Sequence, residues 1–317
     1  MFNQYFLTKT SELRFFFALF VALALLIVTS LVLSSRVERG GQSVPTRLTT
    51  APFPRMALEA KSAYVYDART KQVLFAKNEN TRIPLASLTK VMAALVAEEL
   101  SPSYGTIIVT SGALKAEGDS GLRVNEKWLL KDLLDFSLVS SSNDGIHAVA
   151  LTLGALKNSQ ATEKQMIEDF VRMMNAKAAE LDLKNTYFWN ETGLDESEAK
   201  GGAYGTARDM STLLEYVITR EPEMLEATRE PTAMLTSLDR YQHLAKNTNT
   251  LASDTPGLLG SKTGYTDIAG GNLVFIFDPE LGRPIIVSIL GSSIEGRFQD
   301  AQTIINATLK YLKGDEP

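Results

Sequence analysis

Strand-like sequence stands at both ends of the folded part of this chain and helical sequence fills its middle, an order that excludes most topologies. Near the start, SAYVYDARTKQVLFAKNEN alternates apolar and polar residues around the polar turn DARTK, the pattern of a β-hairpin. Near the end, GNLVFIF and PIIVSILG are apolar, β-branched runs separated by the turn DPELGR. No strand–helix–strand alternation connects them, so a parallel doubly wound sheet is not expected. The expected fold is α+β, an α/β sandwich with a helical insert, whose central antiparallel sheet is formed by both chain ends.

Helical periodicity defines the insert. Lys90 to Leu100 is apolar on one face, and WLLKDLLDFSL, Trp128 to Leu138, repeats leucine at three and four. Residues 163–181 place Met166, Ile167, Phe170, Val171 and Met174 on one stripe, which is expected to be core. ARDMSTLLEYVI (207–218) and a closing segment from about Arg297 to Lys313 are also expected to be helical.

Upstream, Phe15 to Leu33 is an uncharged run of nineteen residues with only Thr29 and Ser30 as polar interruptions. At about 1.5 Å per residue it nearly crosses a bilayer core of about 30 Å. Lys9 and Arg14 precede it, which favours a cytoplasmic N-terminus and an exported remainder. A cleaved signal peptide is the competing reading, with Val32 and Ser34 at the small-residue sites, but the run is long for a signal core. The expected organisation is a cytoplasmic N-terminus (1–14), a transmembrane helix or signal segment (15–33), a linker rich in Ser, Gly, Pro and Thr (34–57), and a folded domain (58–317). That domain is expected on the extracytoplasmic face of the cell membrane.

Composition narrows the function. A net charge of −5 and a pI near 5.3, with scattered Lys and Arg, argue against a nucleic-acid partner. The sequence has no cysteine, so disulfides, thiolate nucleophiles, Cys-ligated metals and a lipoprotein anchor are excluded.

Three motifs carry chemistry. In PLASLTKVMAAL, Ser87 opens an apolar helical run and Lys90 follows one turn later. Ser87 reads as a helix N-cap, or as a nucleophile with an amine base at i+3 and helix amides behind it. A second Ser-x-x-Lys, Ser197 to Lys200, is flanked by Glu196 and Glu198, which would raise the amine's pKa and unsuit it as a base. In SSSNDG, Ser141 and Asn143 are two apart, so an extended turn would point both side chains the same way, one to relay a proton and one to hold an amide. The same residues also simply favour turns. In GSKTGYTDIAGGNLVFIF, Lys262 and Thr263 can hold a carboxylate, and Gly264 lets a ligand backbone approach a strand edge. A phosphate loop is excluded, because Ser261 stands where Walker A needs glycine and a strand follows.

Taken together, Ser87-x-x-Lys90, Ser141-x-Asn143 and Lys262-Thr263-Gly264 match in order and context the motifs of penicillin-binding proteins and class A β-lactamases. FVRMMNAKAAELDLKNTYFWNETGLD, YGTARDM and NTNTL extend the match. From about residue 58 to 312 the chain resembles the serine D-alanyl-D-alanine carboxypeptidases, low-molecular-mass penicillin-binding proteins of peptidase family S11. The resemblance implies a β-lactamase/transpeptidase-like fold and a catalytic domain needing neither metal nor cofactor. It implies Ser87 as nucleophile, Lys90 as general base and Ser141 as relay to the leaving D-alanine nitrogen. Asn143 would hold the acyl-side amide, and Lys262 and Thr263, with Arg297, would receive the terminal carboxylate. The backbone amides of Ser87 and Tyr265 would form the oxyanion hole. Burial and the Lys262 ammonium would both lower the pKa of Lys90. Ser142 replaces the family's usual glycine, and Tyr265 stands where histidine or threonine is common, a change expected to alter substrate preference.

The implied activity removes the terminal D-alanine from peptidoglycan stem pentapeptides through a Ser87 acyl-enzyme, with β-lactams as covalent inhibitors. A DD-endopeptidase cutting D-alanyl cross-links is the alternative. A class A β-lactamase would carry an E-x-x-L-N loop where this chain has NETGLD. A Ser-His-Asp hydrolase would need G-x-S-x-G, yet only His147 and His243 are present, and His147 reads as a packed helix residue. H-E-x-x-H is likewise missing, which argues against zinc catalysis. A non-catalytic peptidoglycan-binding protein would not need all three motifs intact.

Overall fold

The computed structural model describes residues 52–314 except 54, 55 and 157. The expected cytoplasmic segment, the membrane segment 15–33 and most of the linker lie outside the described residues. Among the described residues no helix is long and apolar enough to cross a membrane.

The hairpin β1 (Ser62–Asp67) and β2 (Gln72–Lys77) opens the fold. The two-residue strand β3 (Ile83–Pro84) leads through a 3-10 turn, Ala86–Leu88, into α1 (Thr89–Leu100). A short pair, β4 (Thr106–Ile108) and β5 (Lys127–Leu129), precedes α2 (Leu130–Ser140), α3 (Asn143–Gly154) and α4 (Glu163–Glu180). Next come β6 (Tyr187–Phe188), β7 (Ala203–Gly205), α5 (Ala207–Arg220) and the hairpin β8 (Thr232–Thr236) and β9 (Gln242–Lys246). The chain closes with β10 (Leu258–Thr266), β11 (Gly270–Phe277), β12 (Ile285–Ser292) and α6 (Gly296–Leu312).

The main sheet has the order β10-β11-β12-β1-β2 and is antiparallel throughout. Strand β1 from the chain start pairs with β12 from its end, Ser62 opposite Leu290 and Asp67 opposite Ile285, as the sequence leads one to expect. Both faces are covered. Leu273, Phe275, Val287 and Ile289 pack with Ala301, Ile304 and Ile305 of α6. Their neighbours Val274, Ile276, Ile286 and Leu290 join the helical body with Met210 and Leu214 of α5. A strand buried on both sides shows no polar alternation, which is why these runs read as continuously apolar.

Two local expectations change. The helix read from Trp128 starts at Leu130, while Trp128 pairs opposite Ile107 in β5, its indole buried against Phe136 and His243. SSSNDG is not an extended turn but a tight joint between two helices. Ser141 takes a left-handed conformation (φ 62), Ser142 caps α3 by accepting from the Gly145 amide at 3.0 Å, and Asn143 begins that helix. The stripe on α4 packs as expected, with Phe170, Val171 and Met174 buried and Met166 and Ile167 half-buried.

Candidate active site

The turn that delivers Ser87 is strained and clamped. Ala86 sits at φ 49, a conformation that costs a non-glycine residue roughly 1–3 kcal/mol and persists only under outside support. Asn272, fully buried on β11, supplies it: Nδ2 donates to the Pro84 and Leu85 carbonyls at 2.9 and 3.1 Å, and Oδ1 accepts from the Gly291 amide at 2.8 Å. Gly264 of β10 faces the same turn. A Cβ there would lie 2.8 Å from the Leu85 oxygen and 3.1 Å from the Ser87 nitrogen. The room that glycine leaves on this side is therefore filled by the protein's own serine turn, while β10 is an edge strand of its sheet. A Cβ on Gly193 would overlap the Ala86 carbonyl.

Ser87 is no N-cap, since neither the 3-10 turn nor α1 has a side-chain cap. Its Oγ instead accepts from Lys90 Nζ at 2.7 Å. Lys90 Nζ also donates to Asn143 Oδ1 at 2.7 Å and to the Thr192 carbonyl at 3.0 Å. Burial pushes the Lys90 amine down to about 7, against an opposing pull from the Glu191 carboxylate. Lys262 is equally buried and donates to Ser141 Oγ at 2.8 Å and to the Thr263 carbonyl at 2.9 Å. Burial first, then the Lys90 ammonium and Arg297, hold Lys262 well below the usual lysine range. The sequence reading gave Lys262's charge a part in lowering Lys90. The structure assigns that lowering to burial, and the lysine–lysine repulsion acts on Lys262.

The remaining predicted residues converge unevenly. Asn143 Nδ2 donates to the Glu117 carbonyl at 2.6 Å, so this side chain bridges Lys90 and the 117 loop. Thr263 Oγ1 donates to Thr248 Oγ1 at 2.6 Å. Tyr265 is exposed, its hydroxyl 3.1 Å from Asp267 Oδ1. Arg297 is buried, and its Nη1 donates to the Gly264 and Asn272 carbonyls at 2.9 and 3.4 Å. Through Nη1 it is engaged with the backbone of β10 and β11. An open cleft of ≈ 380 Å³, whose lining includes Glu117, Ser141, Asn143, Leu244 and Lys246, adjoins these groups. Ser197 and Lys200 form a backbone bridge in a separate loop, where Lys200 Nζ lies 4.6 Å over the Trp189 ring. His147 and His243 pair with Glu191 and Glu126, and neither bonds to Ser87.

Residues 47–293 match the D-alanyl-D-alanine carboxypeptidase family, peptidase S11. The chain belongs to this family. Among curated proteins it is similar to the D-alanyl-D-alanine carboxypeptidase DacF of Bacillus subtilis, 34% identical over 218 residues, which cover 67% of this chain and 52% of that protein. The chain thus spans about half of that relative's length. It is also similar to the D-alanyl-D-alanine endopeptidase of Pseudomonas aeruginosa, 31% identical over 250 residues and covering 73% of each. Among solved structures it resembles penicillin-binding protein D2 of Listeria monocytogenes in its ampicillin-bound form, with a TM-score of 0.63 and 29% identity over 81% of this chain and 100% of that one. The mixed helix-and-sheet fold is that of penicillin-binding proteins.

For this S11 peptidase, sequence reasoning missed Thr192, Thr248 and Asn272, which hold the site residues in place. Thr192 and Thr248 lie in the NETGLD and NTNTL blocks, so their neighbourhood was visible but not their contacts. Asn272 had a clearer signal: an amide entering an otherwise apolar strand, which burial on both faces would leave unsatisfied without a fixed partner.

Proposed function

We propose that the chain is a serine D-alanyl-D-alanine carboxypeptidase that removes the terminal D-alanine from peptidoglycan stem pentapeptides. The arrangement around Lys90 Nζ carries this reading. A neutral amine has two N–H bonds and one lone pair. As an ammonium, Lys90 donates to Ser87 Oγ, the Asn143 oxygen and the Thr192 carbonyl; once it has lost a proton, the Asn143 and Thr192 oxygens hold both remaining N–H bonds and the lone pair faces Ser87 Oγ. At a pKa of about 7, a large share of Lys90 is neutral at physiological pH, whereas a solvated lysine near 10.4 is almost wholly charged.

Ser87 Oγ attacks the carbonyl of the penultimate D-alanine while Lys90 takes the hydroxyl proton. The oxyanion forms beside the amides of Ser87 and Tyr265. Ser141, hydrogen-bonded to Lys262, gives its hydroxyl proton to the departing nitrogen as the peptide bond breaks and takes up in its place the proton that Lys90 removed from Ser87, which leaves Lys90 neutral again. Lys262 and Thr263 receive the terminal carboxylate, Asn143 offers its amide to the acyl side, and Arg297 positions β10 through the Gly264 carbonyl. Water then attacks the acyl-enzyme ester, giving a proton to the neutral Lys90, and that proton passes to Ser87 Oγ as the ester bond breaks. A β-lactam carbonyl takes the same attack, a reading that the likeness to an ampicillin-bound relative supports.

Likeness to an endopeptidase at similar identity favours a second reading, cleavage of D-alanyl cross-links. Digestion of purified muropeptides with mass detection tests both. Loss of one D-alanine from pentapeptides is expected, conversion of cross-linked dimers to monomers assigns the endopeptidase, and no product contradicts the proposal.

The uncharged run 15–33 supports a single N-terminal span that holds the catalytic domain, 58–317, at the extracytoplasmic face beyond the linker 34–57. The intact chain is expected in the membrane fraction after an alkaline wash. A shortened chain released into the soluble extracytoplasmic fraction would mean the segment is a cleaved signal.

A further inference from the structure

Glu191 is a buried carboxylate that the steps above do not use. Only 3% of its surface is exposed, and Oε1 lies 2.5 Å from Nδ1 of His147. Its position in the chain matters as much as its burial. Glu191 is followed directly by Thr192, whose carbonyl is one of the two acceptors that hold the Lys90 amine. His147 lies one turn along α3 from Asn143, which supplies the other acceptor. The His147–Glu191 bond therefore joins the two elements from which both acceptors come.

We propose that Glu191 and His147 form a positioning pair, which ties α3 to the 190–193 segment and sets the charge state of Lys90, and so the pH at which Ser87 becomes reactive. This rests on the reading of Lys90 as base. The pair acts in two ways. Its bond fixes the spacing of Asn143 Oδ1 and the Thr192 carbonyl, hence the direction of the amine lone pair. Its carboxylate, buried where charges are weakly screened, favours the protonated amine. The charged groups facing the pair are Lys90 from α1 and Asp144 from the first turn of α3, with Lys262 beyond Lys90 on β10. Burial alone would take the Lys90 amine lower than it lies, and Glu191 opposes that fall.

The test is the pH profile of acylation by a fluorescent penicillin, measured with the purified full chain. Wild type is expected to show an acid limb centred near the Lys90 value of about 7. Glu191→Gln removes the anion that favours the ammonium, so the limb moves to lower pH by about one unit. Glu191→Met reads the same effect if the amide variant does not fold. His147→Asn, whose amide nitrogen reaches the place of Nδ1, keeps the limb near its wild-type position. A residue that only supports the fold would lower the rate evenly at every pH, and an unmoved limb in a folded Glu191 variant overturns the proposal. A wild-type profile with no acid limb, or acylation that survives in Lys90→Ala, overturns the base reading itself and the pair's role with it.

Discussion

Lys90 and Lys262 are two buried amines, each donating to a serine hydroxyl, and burial that makes them poor cations makes them available as proton carriers. Lys90 also leaves a signature in stability. Its folded pKa of about 7 lies below the unfolded value of 10.5, so between those values the unfolded chain binds one proton more than the folded chain. Stability from this group therefore rises with pH across that window, by about 1.4 kcal/mol per unit, and is flat below it. In denaturant titrations, wild type should gain on Lys90→Met as pH rises above about 7, and a difference independent of pH would contradict the burial. Gly264 gives a second prediction at this scale. An added methyl would press on the Ser87 amide and Leu85 carbonyl, so Gly264→Ala should lose on the order of 100-fold in acylation rate while still melting cooperatively. The Ser87–Lys90 pairing was legible because i and i+3 share a helix face. Whether Ser87 capped the helix or met the lysine was not legible, since that depends on the strained Ala86 turn and on what Asn272 and Gly264 press against it.

Elements whose periodicity comes from one buried face were read correctly, α4 and α5 among them, and so were the doubly buried β11 and β12. Failures fell at junctions. Trp128 and Leu129 continue a leucine-rich pattern, yet backbone pairing with β4 claims them first. The α2–α3 joint places Ser141 by a left-handed residue that composition does not announce. The same dependence on tertiary partners makes β11 more than a sheet strand. Asn272→Ala would strip two donors from the Pro84 and Leu85 carbonyls and the acceptor from Gly291, all in a buried setting. A loss of about 2–4 kcal/mol in urea unfolding is expected, with acylation falling further than stability explains. A variant that keeps wild-type acylation would show that the turn holds its shape unaided.

Across the whole molecule, the site lies where the helical insert meets the sheet. Ser87 comes from the 3-10 turn before α1 and Lys90 from the start of α1, Ser141 and Asn143 from the α2–α3 joint, and Lys262 to Tyr265 from β10. No single element holds more than one motif, so the serine is assembled only when both chain ends have closed the sheet. A chain cut before β12 removes the partner of both β1 and β11 and should show no cooperative melting and no penicillin labelling. The expectation of a sheet built from both ends was legible because the strand patterns stood apart in sequence with no alternation between them. The hydrogen bonds that join the three motifs, Lys90 to Ser87 and Asn143 and Lys262 to Ser141, were not contained in their spacing. The most direct measurement of the central claim is mass analysis of the chain after brief exposure to a penicillin. One equivalent of drug should be found, bound covalently to the peptide containing Ser87 and absent from Ser87→Ala, whereas an unlabelled wild type, or equal labelling of the variant, would contradict a serine acyl-enzyme.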